Sequence, residues 1–131
     1  MEIYFSKYNG SGNDFILIDD RDNLINDDYL LISYLWDSQC RVGADGLIIL
    51  KESNNCDFEI LHYTSDGNLG SLCGNGSRCA VLFAYNKDII GRKTVFNAFD
   101  GIHSAEILDN GLIKMEMKVN SDIVSNSYGT F

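Results

Sequence analysis

The chain contains no proline, so glycine, asparagine and aspartate must supply its tight turns. It is also short of cations, with 10 Lys and Arg against 19 Asp and Glu and a net charge of −9. A nucleic-acid groove needs concentrated positive charge, and this balance argues against one. The acidic excess is spread along the chain, for example at Asp19, Asp20, Asp22, Asp27 and Asp28, and is expected to form a solvated surface. No apolar run reaches the roughly 18 residues that a membrane-spanning helix needs. Met1 to Lys7 lacks the basic-then-apolar layout of a secretory signal, which makes the cytoplasm the expected compartment. The four cysteines, Cys40, Cys56, Cys73 and Cys79, include no CxxC pair, and His62 and His103 stand apart. Structural zinc and a disulfide framework are therefore not expected.

The 131 residues suffice for one domain with one core. Ile3 to Phe5 reads as a short strand, Asn9 to Asn13 as a loop, and Phe15 to Ile18 as an apolar strand stopped by Asp19-Asp20. Tyr29 to Ser38, with Leu31, Tyr34 and Leu35, suits a helix packed on one side. Leu47 to Leu50 reads as a buried strand. Phe58, Ile60 and His62 alternate with Glu59, Leu61 and Tyr63 in strand rhythm. Ser77 to Tyr85 is apolar nearly all round and, as a helix, must be buried. Thr94 to Phe96, Ile102 to Leu108 and Leu112 to Lys118 read as strands, with Asp100-Gly101 and Asn110-Gly111 as the turns between them. The expected fold class is α+β, with antiparallel and mixed strands wrapped around one central helix. Residues 1–119 form this domain, and Asn120 to Phe131, polar and small, reads as a linker or tail.

The stretch that carries chemistry is Cys73-Gly74-Asn75-Gly76-Ser77-Arg78-Cys79. Cys73 stands just before the inferred buried helix. Backbone N–H groups in a helix's first turn lack internal partners, and with the helix dipole they favour negative charge. A cysteine there is expected to have its thiolate stabilised below the free value of about 8.5. Gly74 and Gly76 allow close approach of the backbone to a ligand, and the same N–H groups suit a carboxylate. One segment can thus supply a base and an anion clamp, as removal of a proton beside a carboxylate demands. The other reading of Cys73 is a small buried hydrophobe. Cys79, six residues on and on another helix face, reads as core. Gly74-x-Gly76 with Cys79 in the third glycine position, followed by hairpins, fails as a dinucleotide loop.

Four segments together resemble the diaminopimelate epimerases: Tyr8 to Phe15, Arg41 to Ile48, Tyr63 to Asn68, and Cys73 to Cys79. They occur in the family's order, and the resemblance runs from the N-terminus to about Lys118. It implies two similar lobes, each of strands around a central helix, with the active site in the cleft between them and one cysteine from each lobe. A thiolate on one substrate face takes the α-proton and a thiol on the other returns one, without pyridoxal phosphate or metal. The implied reaction interconverts LL- and meso-diaminopimelate for lysine and cell-wall synthesis. By position Cys73 is the catalytic cysteine of the first lobe, Gly74 and Asn75 hold the reacting carboxylate through backbone N–H groups, and Asn13 hydrogen-bonds the substrate. The third signature usually begins with asparagine, and here that place is Thr64, so no substrate contact is carried over to it.

The second lobe, with its cysteine, is not in this sequence. The expectation is therefore a half-site, inactive alone, whose partners are the substrate and a complementary C-terminal lobe. Its exposed face is expected to drive association, with a homodimer as one form. Two alternatives remain: another racemase or isomerase of the same fold, and a non-catalytic binding module that keeps an anion pocket at Gly74-Asn75.

Overall fold

Two kinds of strand are distinguishable in the sequence, and the computed structural model shows why. It describes residues 5–10, 12–25, 29–35, 37, 44–63, 74–98, 101–118 and 128–129. Strand β1 is Phe5–Gly10, β2 Asn13–Asp19, β3 Gly46–Lys51, β4 Phe58–Tyr63, β5 Lys93–Ala98, β6 Gly101–Ile107, β7 Ile113–Lys118 and β8 Tyr128–Gly129; helix α1 is Tyr29–Leu35 and α2 Gly74–Asn86. The strands form one mixed sheet whose spatial order, β1 to β8, is the order of the sequence. The β2–β3 and β4–β5 pairs are parallel and the other neighbours antiparallel.

Parallel neighbours require a crossover, and the two helices lie in these crossovers on opposite faces of the sheet. Phe15, Leu17, Ile48 and Leu50 point to the face occupied by α2. Ile16, Ile18, Leu47 and Ile49 point the other way and pack with Ile25 and with Ile32 of α1. Buried on both faces, β2 and β3 read as unbroken apolar runs. Strands β4 to β7 are buried on one face and alternate: Phe58, Ile60 and His62 are buried between half-buried Glu59, Leu61 and Tyr63, and Ile113 and Met115 are buried beside exposed Lys114 and Glu116. Phe58 stacks on Phe96 at 5.1 Å between ring centroids. Phe96 stacks in turn on His103 at 5.2 Å, tying three strands together on the inner face.

The α+β expectation, strands around a central helix, is borne out. Four local readings change. The first strand continues through Gly10, which pairs with Asn13; residues 9–13, expected as a loop, are the end of a hairpin. Helix α2 is buried at Cys79, Ala80, Val81, Phe83 and Ala84, but Leu82 is 38% exposed. Among the described residues the sheet stays open between its two ends. Tyr8, Gly10, Arg78, Leu82 and Leu112 line a groove of about 190 Å³ along that seam. Asp20 is buried rather than solvated. Its carboxylate accepts the N–H groups of Leu24 at 2.8 Å and Ile25 at 3.1–3.2 Å and pairs with the ammonium of Lys51. Next to it, burial raises the pKa of Asp19, but hydrogen bonds and charge from Arg21 outweigh this and hold it below its ordinary value. The short β8 lies within the stretch expected as a linker and pairs with Met115 and Glu116 of β7.

Removing the Asp20 carboxylate takes the acceptor from the Leu24 and Ile25 N–H groups and the counter-charge from the half-buried Lys51 ammonium, which keeps its hydrogen bond to Asn23 Oδ1 at 2.9 Å. Asp20→Ala is expected to destabilise the protein by about 3–5 kcal/mol, as for a broken buried ion pair. Urea unfolding would measure this, and a loss below about 1 kcal/mol, the range of surface pairs, would contradict the role given to Asp20.

Candidate active site at the start of α2

Helix α2 begins at Gly74, directly after Cys73 in the sequence. Its composition fits that position. Arg78 is its one charged residue, and its first turn carries no acidic side chain, so no carboxylate of the helix competes for the positive end of the dipole. Gly74 and Asn75 are the first two helical residues, whose N–H groups have no partner inside the helix. At the other end, Asp88 has φ +60°, Ile89 N–H donates to Ala84 carbonyl at 2.9 Å and Asp88 N–H to Tyr85 carbonyl at 3.0 Å. These two bonds are a Schellman termination.

The first turn of α2 is seated on the tip of the β1–β2 hairpin. A Cβ at Gly10 would lie 2.9 Å from the carbonyl oxygen of Asn75 and 3.0 Å from Cys79 Sγ, so the strand approaches the helix more closely than any side chain permits. Gly12 turns the hairpin with φ +95°, and a Cβ there would meet nothing within 4 Å. Asn9 stiffens the same turn: its amide donates to Asp14 Oδ1 at 2.8 Å and its Oδ1 accepts from Gly12 N–H at 3.4 Å.

This seating brings together two residues 62 positions apart. The Asn75 side-chain amide donates to Asn13 Oδ1 at 3.2 Å, and Arg78, one turn along, donates to Asn75 Oδ1 at 3.2 Å. All three side chains are half-buried. The hairpin is also held from its far side. Asp45 Oδ2 accepts from Asp14 N–H at 2.8 Å, and Asp45 N–H donates to Asp14 carbonyl at 2.7 Å.

Of the residues expected to form the site, the structure joins Asn13 to Asn75 and puts Gly74 at the helix start. Cys73, the expected base, lies outside the described residues, as do Thr64, residues 41–43 of the second signature segment and residues 64–68 of the third. Cys79 is buried and Cys56 half-buried, and neither is in a disulfide. The contacts of Asp45 and Gly10 with this site had no local signal in the sequence, because each depends on a partner more than 30 residues away. Among the described residues no three His, Cys, Asp or Glu side chains are grouped to hold a metal ion, and no helix is long and apolar enough to cross a membrane. A larger concavity, about 380 Å³, lies on the outer face of β5 to β7 between Lys93, Ser104, Glu106, Lys114 and Glu116. It contains none of the expected site residues.

A family model described as diaminopimelate epimerase matches residues 5–122. The chain is 46% identical over 119 residues to the diaminopimelate epimerase of Flavobacterium psychrophilum, covering 90% of this chain and 46% of that one. It is 41% identical over 119 residues to the diaminopimelate epimerase of Aquifex aeolicus, covering 82% and 42%. The chain thus spans about half the length of the curated relatives it matches. Among solved structures, a Bacillus anthracis phenazine biosynthesis protein of the PhzF family has a TM-score of 0.65 at 16% identity, over 89% of this chain and 40% of that one. A methylitaconate-delta-isomerase has the same TM-score and identity, over 98% and 40%. At such identities the likeness is one of fold.

The two hairpin glycines are separable by experiment. Gly10→Ala is expected to cost about 1–3 kcal/mol by overpacking and to widen the Asn13–Asn75 contact. Gly12→Ala is expected to cost about 1–2 kcal/mol through its left-handed backbone and to leave that contact in place. Unfolding midpoints and crystal structures of the two variants would test this. An unmoved Asn75 in Gly10→Ala would contradict the seating described.

Proposed function

This chain belongs to the diaminopimelate epimerase family, and we propose that it supplies the first half of a two-cysteine active site that interconverts LL- and meso-diaminopimelate. Residues 1–119 are the first lobe and residues 120–131 lead toward a complementary C-terminal lobe that carries the second cysteine. Cys73 is the base or acid of the first lobe. Backbone N–H groups of Gly74 and Asn75 hold the substrate carboxylate, and Asn13 hydrogen-bonds the substrate beside it. The reaction serves lysine and peptidoglycan synthesis in the cytoplasm and uses neither pyridoxal phosphate nor metal. The observation that carries this reading is the Asn13–Asn75 contact at the start of α2, next in sequence to Cys73, in a chain of this family.

The chemistry is balanced within the two thiols. The Cys73 thiolate takes the α-proton and becomes a thiol, while the C–H electron pair passes into the adjoining carboxylate. The opposing thiol delivers its proton to the other face of the α-carbon and is left as thiolate. Reversal of the roles gives the back reaction. The α-proton is very weakly acidic, so the carboxylate's growing charge must be met by fixed donors in a site closed to water. The first turn of α2 offers such donors. One lobe leaves the opposite face of the substrate open and provides no acid there, so the isolated chain is proposed to be inactive.

Deuterium incorporation tests the reading. A full-length protein containing this sequence is expected to wash deuterium from heavy water into the α-position of diaminopimelate, and Cys73→Ala is expected to abolish it. No incorporation by the folded, reduced, full-length protein would overturn the substrate assignment. The chain of 131 residues, assayed alone, is expected to give no turnover, and detectable epimerisation by it would overturn the half-site.

A further inference from the structure

Arg78, Asn75 and Asn13 form a short chain of hydrogen bonds whose direction is set at one end. A guanidinium has five donors and no acceptor, so the atom of Asn75 that faces Arg78 must be its Oδ1, as observed at 3.2 Å. That turns the Asn75 NH2 group toward Asn13, where it needs an acceptor, and it meets Asn13 Oδ1 at 3.2 Å. Asn13 is thereby left with its NH2 group on the side away from Asn75. An asparagine amide has two nearly isosteric orientations, one presenting donors and the other an acceptor. Two such amides in series would have no preferred polarity without a group that can only donate.

We infer that Arg78 is a positioning residue: acting through Asn75, it fixes the orientation of the Asn13 amide so that a donor, and not an acceptor, is presented to the substrate's carboxylate. This rests on the proposed epimerase reading for the identity of the ligand, but the polarity of the chain does not. Because Arg78 and Asn75 are one turn apart on α2 and Asn13 stands at the end of the hairpin that Gly10 seats against that turn, the relay joins two elements that share no covalent neighbour. Arg78 contributes polarity to the site without touching the substrate.

The test replaces the donor-only end with an acceptor-only one in the full-length protein. Arg78→Lys keeps a donor-only end. Arg78→Met removes the end, and Arg78→Glu inverts it, turning Asn75 Nδ2 toward the carboxylate and leaving Asn13 Oδ1 facing the substrate. The expected kcat/KM for diaminopimelate falls in the order wild type, Lys, Met, Glu. The loss is about 10- to 100-fold for Met, the worth of one charge-assisted hydrogen bond, and larger for Glu. In an Asn75→Ala background the Lys and Glu variants are expected to become alike, because the relay is already cut. An effect of Arg78→Glu that is the same with and without Asn75 would show a general structural role and overturn the proposal.

A second readout needs no turnover. In amide hydrogen exchange followed by NMR, the Asn75 NH2 is expected to exchange more slowly than the Asn13 NH2 in wild type and Arg78→Lys. The order is expected to reverse in Arg78→Glu, where Asn13 becomes the internal donor. An unchanged order in Arg78→Glu would overturn the relay even if the enzyme is active. A reversed order in a protein that does not act on diaminopimelate would sustain the relay and overturn the substrate assignment.

Discussion

Helix α2 has to be surrounded, and the rest of the fold follows from that requirement. Its 13 residues include one charge, so left on a surface it would expose apolar area on nearly every side. A flat sheet covers one side of a helix. A sheet that curls can cover most of it, and right-handed twist accumulating over successive strands supplies the curl. The inner faces of β2 to β7 all contribute to the cluster that holds Cys79, Ala80, Val81, Phe83 and Ala84. The side of the helix that the sheet does not reach carries Arg78 and Leu82. Four residues apart, the two lie on one stripe, and the polar one of them lies toward the helix start, where we propose the site.

The same enclosure packs tightly around the helix start where we propose the site. An anion clamp made of backbone N–H groups works only if the helix start cannot move relative to the groups around it, since reorganisation at the moment of reaction would consume the advantage. Here the helix start rests on Gly10 with no room for a methyl group, and the hairpin that bears Gly10 is pinned by Asp45 from the next strand's approach. Half-buried polar contacts on top of this packing then define the orientation of individual amides.

Sequence and structure agree most closely where burial alone decides the element. The runs Phe15 to Ile18 and Leu47 to Leu50, the alternation from Phe58 to Tyr63, and the apolar segment from Cys79 to Ala84 were legible because period and hydrophobicity report burial directly. Legibility failed where a residue's partner is distant. Asp20 reads as one more surface carboxylate until Lys51 and the turn at Leu24 and Ile25 close around it. Gly10 reads as a loop glycine, yet it is the last residue of a strand, chosen for what lies above it and not for its own backbone angles. The union of Asn13 with Asn75 could be anticipated from the family's signatures but from no local pattern, since 62 residues separate them.

The strict agreement between order in space and order in sequence bears on how such a protein comes into being on the ribosome. Each strand emerging from the exit tunnel finds its hydrogen-bonding neighbour already made, so the sheet can grow from one edge without waiting for distant partners. Strands β1 to β4 precede α2, and they already present Phe15, Leu17, Ile48 and Leu50 as a platform on which the nascent helix can settle before β5 to β7 close over it. Non-local pairing, the usual source of slow folding in sheet proteins, is confined here to the parallel pairs β2–β3 and β4–β5, each of which waits for its crossover. The start of α2 can thus be in place on its platform before β5 to β7 are synthesised.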